Sequence, residues 1–168
     1  MIKEIYFAGG CFWGTQHYFK QIYGVIETAT GYANGKTENP VYEEVYTDMT
    51  GFAETVKVVY DSNRIDLKLL VELFFKSIDP LSLNRQGNDV GTRYRTGIYY
   101  SDNDDLQTIK AVYEKVAAEY GSDLCVELEP LLNFYMAEEY HQDYLDKNPN
   151  GYCHLPTALF EFARKVNK

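Results

Sequence analysis

The chain has 168 residues, 45% of them hydrophobic, so it is long enough for a domain with a buried core and too apolar to be disordered. Its net charge of −9 argues against nucleic acid as a partner, because such a surface repels phosphate backbones. No apolar run approaches the roughly 20 residues that span a bilayer, and the N-terminus lacks the apolar segment of a signal peptide. We therefore expect a single domain over residues 1–168, a monomer in the cytoplasm without a membrane segment.

The first half of the chain predicts alternating strands and helices. Alternation predicts a strand over 2–8, and the spacing of large apolar residues after Cys11 predicts a helix that ends before Gly24. A strand over 25–32 and a short helical segment after residue 40 come next. Strict alternation predicts a third strand over 54–60, and an apolar stripe predicts the clearest helix over 66–78.

The second half begins with a polar loop over 79–93, whose length is typical of functional loops. The patterns after it predict a strand over 95–101, a helix over 102–120, a strand over 124–129, and helices over 137–145 and 156–168. This order predicts an α/β (α+β) fold, a two-layer sandwich with a mixed, largely antiparallel sheet. We expect a ferredoxin-like core followed by C-terminal helices and coil.

Cys11 lies where the first strand meets the first helix, directly after Gly9-Gly10. A helix N-terminus offers unpaired N–H groups and a positive dipole end, and both favour the reactive thiolate. A buried structural cysteine in a tight turn fits the position equally well. Phe12 and Trp13, which follow, fit either as core anchors or as an apolar cup for a substrate methyl group.

The other cysteines, Cys125 and Cys153, lie far from Cys11, so neither a CxxC redox motif nor a disulfide scaffold is present. Cys125 falls on a predicted buried strand and is interpreted as structural. Cys153, His154 and His141 do not match any zinc-ligand spacing, so we expect no metal site.

Six motifs follow one another between about Ile5 and Leu155. They are Gly-Cys-Phe-Trp-Gly at 10–14, Gly-Tyr-Ala-Asn-Gly at 31–35, Asn-Pro-Val-Tyr-Glu-Glu-Val at 39–45, Thr-Gly-Phe-Ala-Glu at 50–54, the run 84–95 and Glu-Glu-Tyr-His-Gln at 138–142. In this order they resemble the peptide methionine sulfoxide reductase A family. The stretch 148–154 is similar to the A-type domain of A–B fusion reductases.

The resemblance implies thiol-dependent reduction of methionine S-sulfoxide, free or in proteins, as a repair of oxidised proteins. Cys11 would attack the sulfoxide sulfur and become a sulfenic acid. Glu54 would protonate the sulfoxide oxygen, and Tyr42 and Tyr94 would donate hydrogen bonds to it. Asp89 would organise the site and hold the substrate.

The remaining implied roles concern the substrate methyl group and recycling. Phe12 and Trp13 would enclose the methyl group, while His141 would form a local hydrogen bond or line the pocket rim. Cys153 would resolve the sulfenic acid as a disulfide, which thioredoxin reduces. We expect no cofactor beyond a reductant, thioredoxin or dithiothreitol, and oxidised proteins as the other partners.

Elementary chemistry agrees with these roles. A sulfoxide oxygen needs a proton as its bond to sulfur weakens, so a general acid is required. A glutamic acid in a water-poor pocket has a raised pKa and keeps its proton near neutral pH. Neutral phenols stabilise negative charge growing on oxygen. Without the resemblance, Glu54 would be read as a surface residue, and Tyr42 and Tyr94 would not stand out among sixteen tyrosines.

Two positions depart from the family pattern, which usually has glutamate at Gln16 and histidine at Phe52. We expect Gln16 to compensate structurally through its own hydrogen bonds. We expect Phe52 to alter the hydrogen bonding of the pocket or its substrate preference. The second resolving cysteine of some members is missing, since no cysteine follows Cys153.

Two other classes of function stay open at this point. A Cys-His hydrolase would pair Cys11 with His17 or His141. His17 is six residues along the same predicted helix, which places it on nearly the opposite side. A non-catalytic module that binds oxidised methionine would need neither the thiol nor the acid.

Overall fold

The computed structural model describes residues 1–167, and its centre is a six-stranded sheet. The strands of that sheet are β1 Ile2–Gly9, β2 Val25–Ala33, β3 Ala53–Asp61, β6 Thr96–Tyr100, β7 Val126–Pro130 and β8 Phe134–Met136. Their order is β7-β6-β1-β3-β2-β8, and only β6 and β7 run parallel. A separate two-stranded hairpin joins β4 Arg85–Gln86 to β5 Asp89–Val90.

Six α-helices accompany the sheet within residues 1–167. They are α1 Phe12–Lys20, α2 Tyr42–Tyr46, α3 Leu67–Lys76, α4 Leu106–Tyr120, α5 Tyr144–Lys147 and α6 Thr157–Lys165. The main core lies between the helices and one sheet face, where Phe7 of β1 stacks between Phe19 of α1 at 4.8 Å and Phe74 of α3 at 4.9 Å. No helix in this part of the chain has the length and apolarity to cross a membrane.

Side-chain alternation explains why both sheet faces are covered. Ile5 and Phe7 of β1 join the main core, whereas Tyr6 and Ala8 belong to a smaller cluster on the opposite face. The α3 stripe that the sequence predicts is buried, and the Asp66 side chain caps the helix by accepting a hydrogen bond from the Leu69 N–H at 2.8 Å.

The predicted fold class is confirmed. β1, α1, β2, β3, α3 and β6 form a β-α-β-β-α-β unit with antiparallel neighbours, which is the ferredoxin-like arrangement. The predicted tail helix corresponds to α6, while Lys168 lies outside the described residues. The extent of the domain, 1–168, stays a prediction.

The predicted helix over 137–145 is wrong. In its place, a short β8 ends at Met136, a 3-10 turn covers Glu139–His141, and α5 begins only at Tyr144. Gln142 holds this segment against the sheet, because its side chain accepts from the Thr30 N–H and donates to the Thr30 carbonyl, both at 2.9 Å. Asp143, with φ of 53°, then takes a left-handed conformation that a continuous helix does not allow.

Candidate active site

Cys11 occupies the N-cap of α1, at the turn that follows β1. Gly10 forms this turn with φ of 90°, and a Cβ placed on it would lie 2.8 Å from Cβ of Gln86. Only glycine combines this backbone conformation with so close an approach. The turn therefore packs directly against the β4–β5 hairpin and leaves the thiol 6% exposed.

The burial of Cys11 affects the protonation of its thiol. Burial raises its pKa well above the usual value, and the charges of Glu54 and Asp89 act in the same direction, whereas the Trp13 N–H lowers it. Burial therefore opposes the effect expected of the helix N-terminus, and the preference of Cys11 for the thiolate stays a prediction.

Glu54 lies beneath the same turn. Its Oε1 accepts a hydrogen bond from the Phe12 N–H at 3.2 Å, and the side chain is 1% exposed. Burial raises the pKa of Glu54 to about 8, although the Phe12 N–H and the Arg93 charge lower it. The neutral carboxylic acid therefore predominates at neutral pH, as a proton donor requires.

Two phenols complete the polar part of the site. Burial raises the pKa of Tyr42 and of Tyr94, and the neighbouring Glu54 charge raises both further. Each hydroxyl thus remains a donor at physiological pH. Tyr42 begins α2, and Tyr94 ends a 3-10 turn over Thr92–Tyr94.

Asp89 is part of β5, in the polar loop that the sequence singles out. Its Oδ2 is buried and has no hydrogen-bond partner within residues 1–167. Its charge raises the pKa values of Cys11, Glu54 and Cys153, so it faces all three groups. A buried carboxylate oxygen without a partner can accept a hydrogen bond from a substrate.

The aromatic wall of the site has two layers. Trp13 is partly exposed and stacks on Tyr144 at 3.7 Å, while Phe12 is buried. Behind them, His141 accepts a hydrogen bond at Nδ1 from the Trp13 indole N–H at 2.9 Å. His141 is 1% exposed and its ring lies 4.5 Å from that of Tyr42, so it lies behind the wall, which fits the first of its two predicted roles and not a place at the pocket rim. It forms the local hydrogen bond and supports the wall from inside.

Sequence reasoning missed Arg93 and Asp48. The Arg93 guanidinium lies 4.2 Å from the ring centre of Tyr46 and 4.4 Å from that of Tyr94. Its Nη1 donates to Asp48 Oδ2 at 2.6 Å, and its backbone N–H donates to Oδ1 at 2.9 Å. This arginine holds Tyr94 and lowers the pKa of Glu54. An arginine in a polar loop is usually a surface residue. The sequence therefore indicated a role for Arg93 only through its position in the motif 84–95.

Glu138 was also missed as a positioning residue. It accepts from the Tyr32 hydroxyl at 2.7 Å and from the Tyr42 N–H at 2.8 Å. These bonds fix the start of α2 and with it the Tyr42 ring. Glu138 belongs to a quoted motif, but nothing local separates it from Glu139, which is largely exposed.

The two departures from the family pattern have different surroundings. Gln16 donates to Thr28 Oγ1 at 3.2 Å and accepts from the Asp143 N–H at 2.9 Å, so its amide uses both functions. Phe52 is 1% exposed and packs on Gly35 and Tyr135, within the core. Its effect on substrate preference stays a prediction.

All three cysteines are free thiols. Cys153 is partly buried, and a Cβ placed on Gly14 of α1 would lie 3.0 Å from its Sγ. Cys153 therefore packs against the first turn of the helix that Cys11 begins. Cys125 lies elsewhere, where its N–H donates to the Pro80 carbonyl at 2.7 Å.

The structure offers little to a Cys-His pair. His17 Nδ1 lies 3.6 Å from Asp146 Oδ1, and its ring meets Phe160 edge-on. His141 directs Nδ1 at Trp13, and its Nε2 has no hydrogen-bond partner in the described chain. Within residues 1–167, no group of three or more potential ligand side chains is arranged to hold a metal ion.

The family model described as "Peptide methionine sulfoxide reductase" matches residues 3–168. The chain belongs to the peptide methionine sulfoxide reductase family. The predicted family is thus confirmed, and with it the enzymatic reduction of methionine sulfoxide. The binding-module and hydrolase alternatives are not favoured.

Individual reductases match over most of their length. The chain is 53% identical over 160 residues to peptide methionine sulfoxide reductase MsrA of Clostridium acetobutylicum, covering 95% of this chain and 99% of the relative. It matches the reduced form of Mxr1 from Saccharomyces cerevisiae with a TM-score of 0.87 and 40% identity, covering 93% of this chain and 90% of Mxr1. Mxr1 in complex with Trx2 matches with a TM-score of 0.61 and 27% identity, covering 85% and 84% of the two chains.

Proposed function

We propose that Cys11 and Glu54 form the reacting pair that reduces methionine S-sulfoxide in this enzyme. The observation that carries the proposal is the Glu54 carboxyl group, which is buried, protonated near neutral pH and bonded to the N–H of Phe12, the residue after Cys11. Tyr42 and Tyr94 add two protonated phenols beside this acid. A nucleophile, an acid and two neutral donors are what the reaction needs.

In the chemical step, the Cys11 sulfur attacks the sulfoxide sulfur, and the transient bond between the two sulfurs breaks as the sulfoxide oxygen passes to Cys11 as a hydroxyl group. Glu54 protonates that oxygen as its bond to the substrate sulfur breaks, and the proton lost from the Cys11 thiol restores the acid. The products are methionine, now reduced, and a Cys11 sulfenic acid, in which the cysteine sulfur is oxidised. Tyr42 and Tyr94 donate hydrogen bonds to the oxygen while its charge grows.

Substrate binding uses the remaining predicted residues. The partly exposed face of Trp13 and the ring of Phe12 contact the sulfoxide methyl group. Asp89 holds the substrate through its unpartnered Oδ2. Because the Trp13 indole is fixed by His141 and by stacking on Tyr144, this wall is rigid before substrate arrives.

Cys153 then resolves the sulfenic acid as a disulfide, and thioredoxin reduces that disulfide. The packing of Cys153 Sγ over Gly14 supports the first step. Cys153 also lines an open cleft of about 640 Å³ between α1, α5 and α6, which gives a reductant access to the disulfide. The yeast relative has been solved in complex with Trx2, which supports thioredoxin as the partner here.

We also propose that the enzyme works as a monomer in the cytoplasm, with a reductant as its only co-reactant. Cytoplasmic thiols are kept reduced, as a catalytic cysteine requires.

The test of the chemical step uses single turnover without added reductant. The parent and Cys125→Ser should each release one equivalent of methionine from the S epimer, whereas Cys11→Ser should release none. Release by Cys11→Ser, or equal turnover of the R epimer, would refute the assignment.

The test of the recycling step uses Cys153→Ser. This variant should still release one equivalent of methionine and should accumulate a sulfenic acid at Cys11 that dimedone traps. Thioredoxin-dependent turnover should collapse, while dithiothreitol restores part of it. Turnover with thioredoxin at the parent rate would show that Cys153 is not the resolving thiol.

A further inference from the structure

His154 occupies a niche beside the proposed reacting cysteines. Its Nε2 lies 3.0 Å from the Gly9 carbonyl oxygen, and a Cβ placed on Gly10 would lie only 3.2 Å from that nitrogen. A Cβ placed on Gly14 would lie 3.1 Å from its Nδ1. The absence of side chains at these glycines thus leaves room for one imidazole ring between the β1–α1 turn and α1.

The Gly9 contact fixes the tautomer of the ring. A backbone carbonyl only accepts hydrogen bonds, so Nε2 carries the proton of the neutral imidazole and donates it to Gly9. Nδ1 is then left with a free lone pair. This nitrogen is buried and has no hydrogen-bond partner within residues 1–167. A buried acceptor without a hydrogen bond lowers the stability of the fold, and such groups are often kept for a catalytic role.

The Cys153 thiol lies against the same glycine of α1 as His154 Nδ1. The same Cβ position on Gly14 lies 3.0 Å from Cys153 Sγ and 3.1 Å from His154 Nδ1. The two atoms therefore lie no more than 6.1 Å apart, the sum of these distances, and they form no hydrogen bond with each other. For the S–H bond to reach this nitrogen, the Cys153 side chain must move from its present position, where Sγ accepts a hydrogen bond from the Leu155 N–H at 3.4 Å.

We propose that His154 Nδ1 accepts the proton of the Cys153 thiol as Cys153 attacks the Cys11 sulfenic acid. The proposal rests on Cys153 being the resolving thiol, as argued above. The S–H bond of Cys153 breaks, the S–S bond forms, and the S–O bond of Cys11 breaks. The Cys153 sulfur is oxidised from a thiol to a disulfide sulfur. The Cys11 sulfur is reduced from the sulfenic acid to the oxidation state of the same disulfide. His154 returns the proton to the departing hydroxide, so one water molecule leaves and the imidazole ends neutral.

The charges around the niche suit a base. Burial lowers the pKa of His154, which keeps the ring neutral and able to accept a proton, although Asp89 and the Gly9 carbonyl act against this. Burial raises the pKa of Cys153, which makes help with deprotonation valuable. The titratable groups that face this region are Asp89, Cys11, Cys153 and Tyr152, whose hydroxyl lies beside Asp89, and a proton taken up by His154 would be stabilised by the Asp89 carboxylate.

The decisive variant is His154→Gln. The glutamine amide N–H can keep the bond to the Gly9 carbonyl, but the amide cannot take a proton. His17→Gln is the matched control, since His17 lines the cleft that Cys153 lines, but its Nδ1 lies 3.6 Å from Asp146 Oδ1. For each protein, a substrate pulse without reductant is followed by two readouts, the methionine released and the rate of loss of the dimedone-reactive sulfenic acid.

We expect His154→Gln to release its one equivalent of methionine at the parent rate and to form the disulfide on the order of 10²-fold more slowly near pH 7. The deficit should shrink as pH rises, because solvent then deprotonates Cys153 without a base. Parent-rate disulfide formation, or a slowing that is the same at every pH, would overturn the proposal. The second outcome would reduce His154 to a structural support.

Chemical rescue keeps the test informative if the glutamine side chain shifts. In His154→Ala the niche is empty, and added imidazole should accelerate disulfide formation, more strongly with more basic imidazoles. Absence of rescue in a folded His154→Ala protein that retains its methionine burst would count against the proposal. Loss of the burst in His154→Ala alone would also overturn the proposal, because His154 would then be needed before recycling begins, whereas absence of the burst in the parent would refute the proposed Cys11 and Glu54 chemistry.

Discussion

The backbone N–H of Phe12 donates a hydrogen bond to Glu54 Oε1 over 3.2 Å, so the buried acid is tied to the residue that follows Cys11. Phe12 is the first residue of α1, and Glu54 is the second residue of β3. The packing of α1 on the sheet therefore sets the position of the acid relative to the thiol. Because Phe12 belongs to the main core, the proposed reacting pair is held by packed elements of the fold and not by a loop.

Replacing Glu54 by glutamine tests the acid directly. Glu54→Gln keeps the size of the side chain and an oxygen for the Phe12 N–H, but it removes the transferable proton. General acid catalysis is worth ~10²–10⁴-fold, so the methionine-forming step should slow by that factor in rapid-quench single turnover. A rate within a factor of two of the parent would show that another group, Tyr42 or Tyr94, supplies the proton.

The raised pKa of Glu54 also predicts a pH profile. The acid is protonated below its pKa of about 8 and loses the proton above it, so the single-turnover rate should fall as pH rises through about 8. In Glu54→Gln this alkaline limb should be absent from the much slower reaction. A limb that persists unchanged in the variant would belong to a different group.

The same proton links stability to pH. The folded-state pKa of about 8 lies above that of an unfolded glutamate, about 4.3, so the stabilising contribution is complete below pH 4.3 and is lost as pH rises to 8. The loss is about 1.4 kcal/mol per pH unit, roughly 4–5 kcal/mol in all. Glu54→Gln does not show this loss of stability, because glutamine does not ionise. Urea unfolding should show that the free energy of unfolding of the variant rises relative to that of the parent between pH 5 and pH 8. If the difference between the two proteins is the same at both pH values, Glu54 is ionised in the folded state.

The sequence predicted the parts of the fold that local patterns specify. The α3 stripe and the alternation of β3 are periodic signals that the sheet and core reinforce. The helix prediction for the segment after Met136 was wrong because the conformation there depends on Gln142. The Gln142 side chain forms hydrogen bonds with Thr30, a residue more than a hundred positions away in sequence. A contact of that kind has no periodic signature.

The site was predictable to a different degree. Cys11 stood out from its place between a strand and a helix, but Glu54 and the two tyrosines emerged only through the resemblance to a family. Burial is what makes Glu54 an acid, and burial of a polar residue at a strand start cannot be read from its neighbours in sequence. Arg93 was missed for the same reason, since only the fold places it between two aromatic rings.

Arg93→Met should shift the alkaline limb to higher pH. The arginine charge lowers the pKa of Glu54, so its removal lets that pKa rise further. The overall rate should fall on the order of tenfold, because Tyr94 loses the guanidinium packed on its ring. Arg95→Met is the control, since Arg95 pairs with Glu127 and is not among the main groups that shift the pKa of Glu54. If the rate falls at the same alkaline pH in Arg93→Met and in the parent, the Arg93 charge does not control the pKa of Glu54.

Gly14→Ala should separate recycling from chemistry by steric means alone. Alanine favours the helix by about 1 kcal/mol, but its Cβ would lie 3.0 Å from Cys153 Sγ and 3.1 Å from the His154 ring, so the segment that carries both must move outward. The methionine burst should remain, whereas disulfide formation should slow on the order of tenfold.

Gly121→Ala is the matched control, because Gly121 ends α4 with φ of 66° and no atom lies within 4 Å of an added Cβ. It should lower the free energy of unfolding by about 1 kcal/mol and leave disulfide formation unchanged. Disulfide formation at the parent rate in Gly14→Ala would show that the contact over Gly14 is not used in recycling.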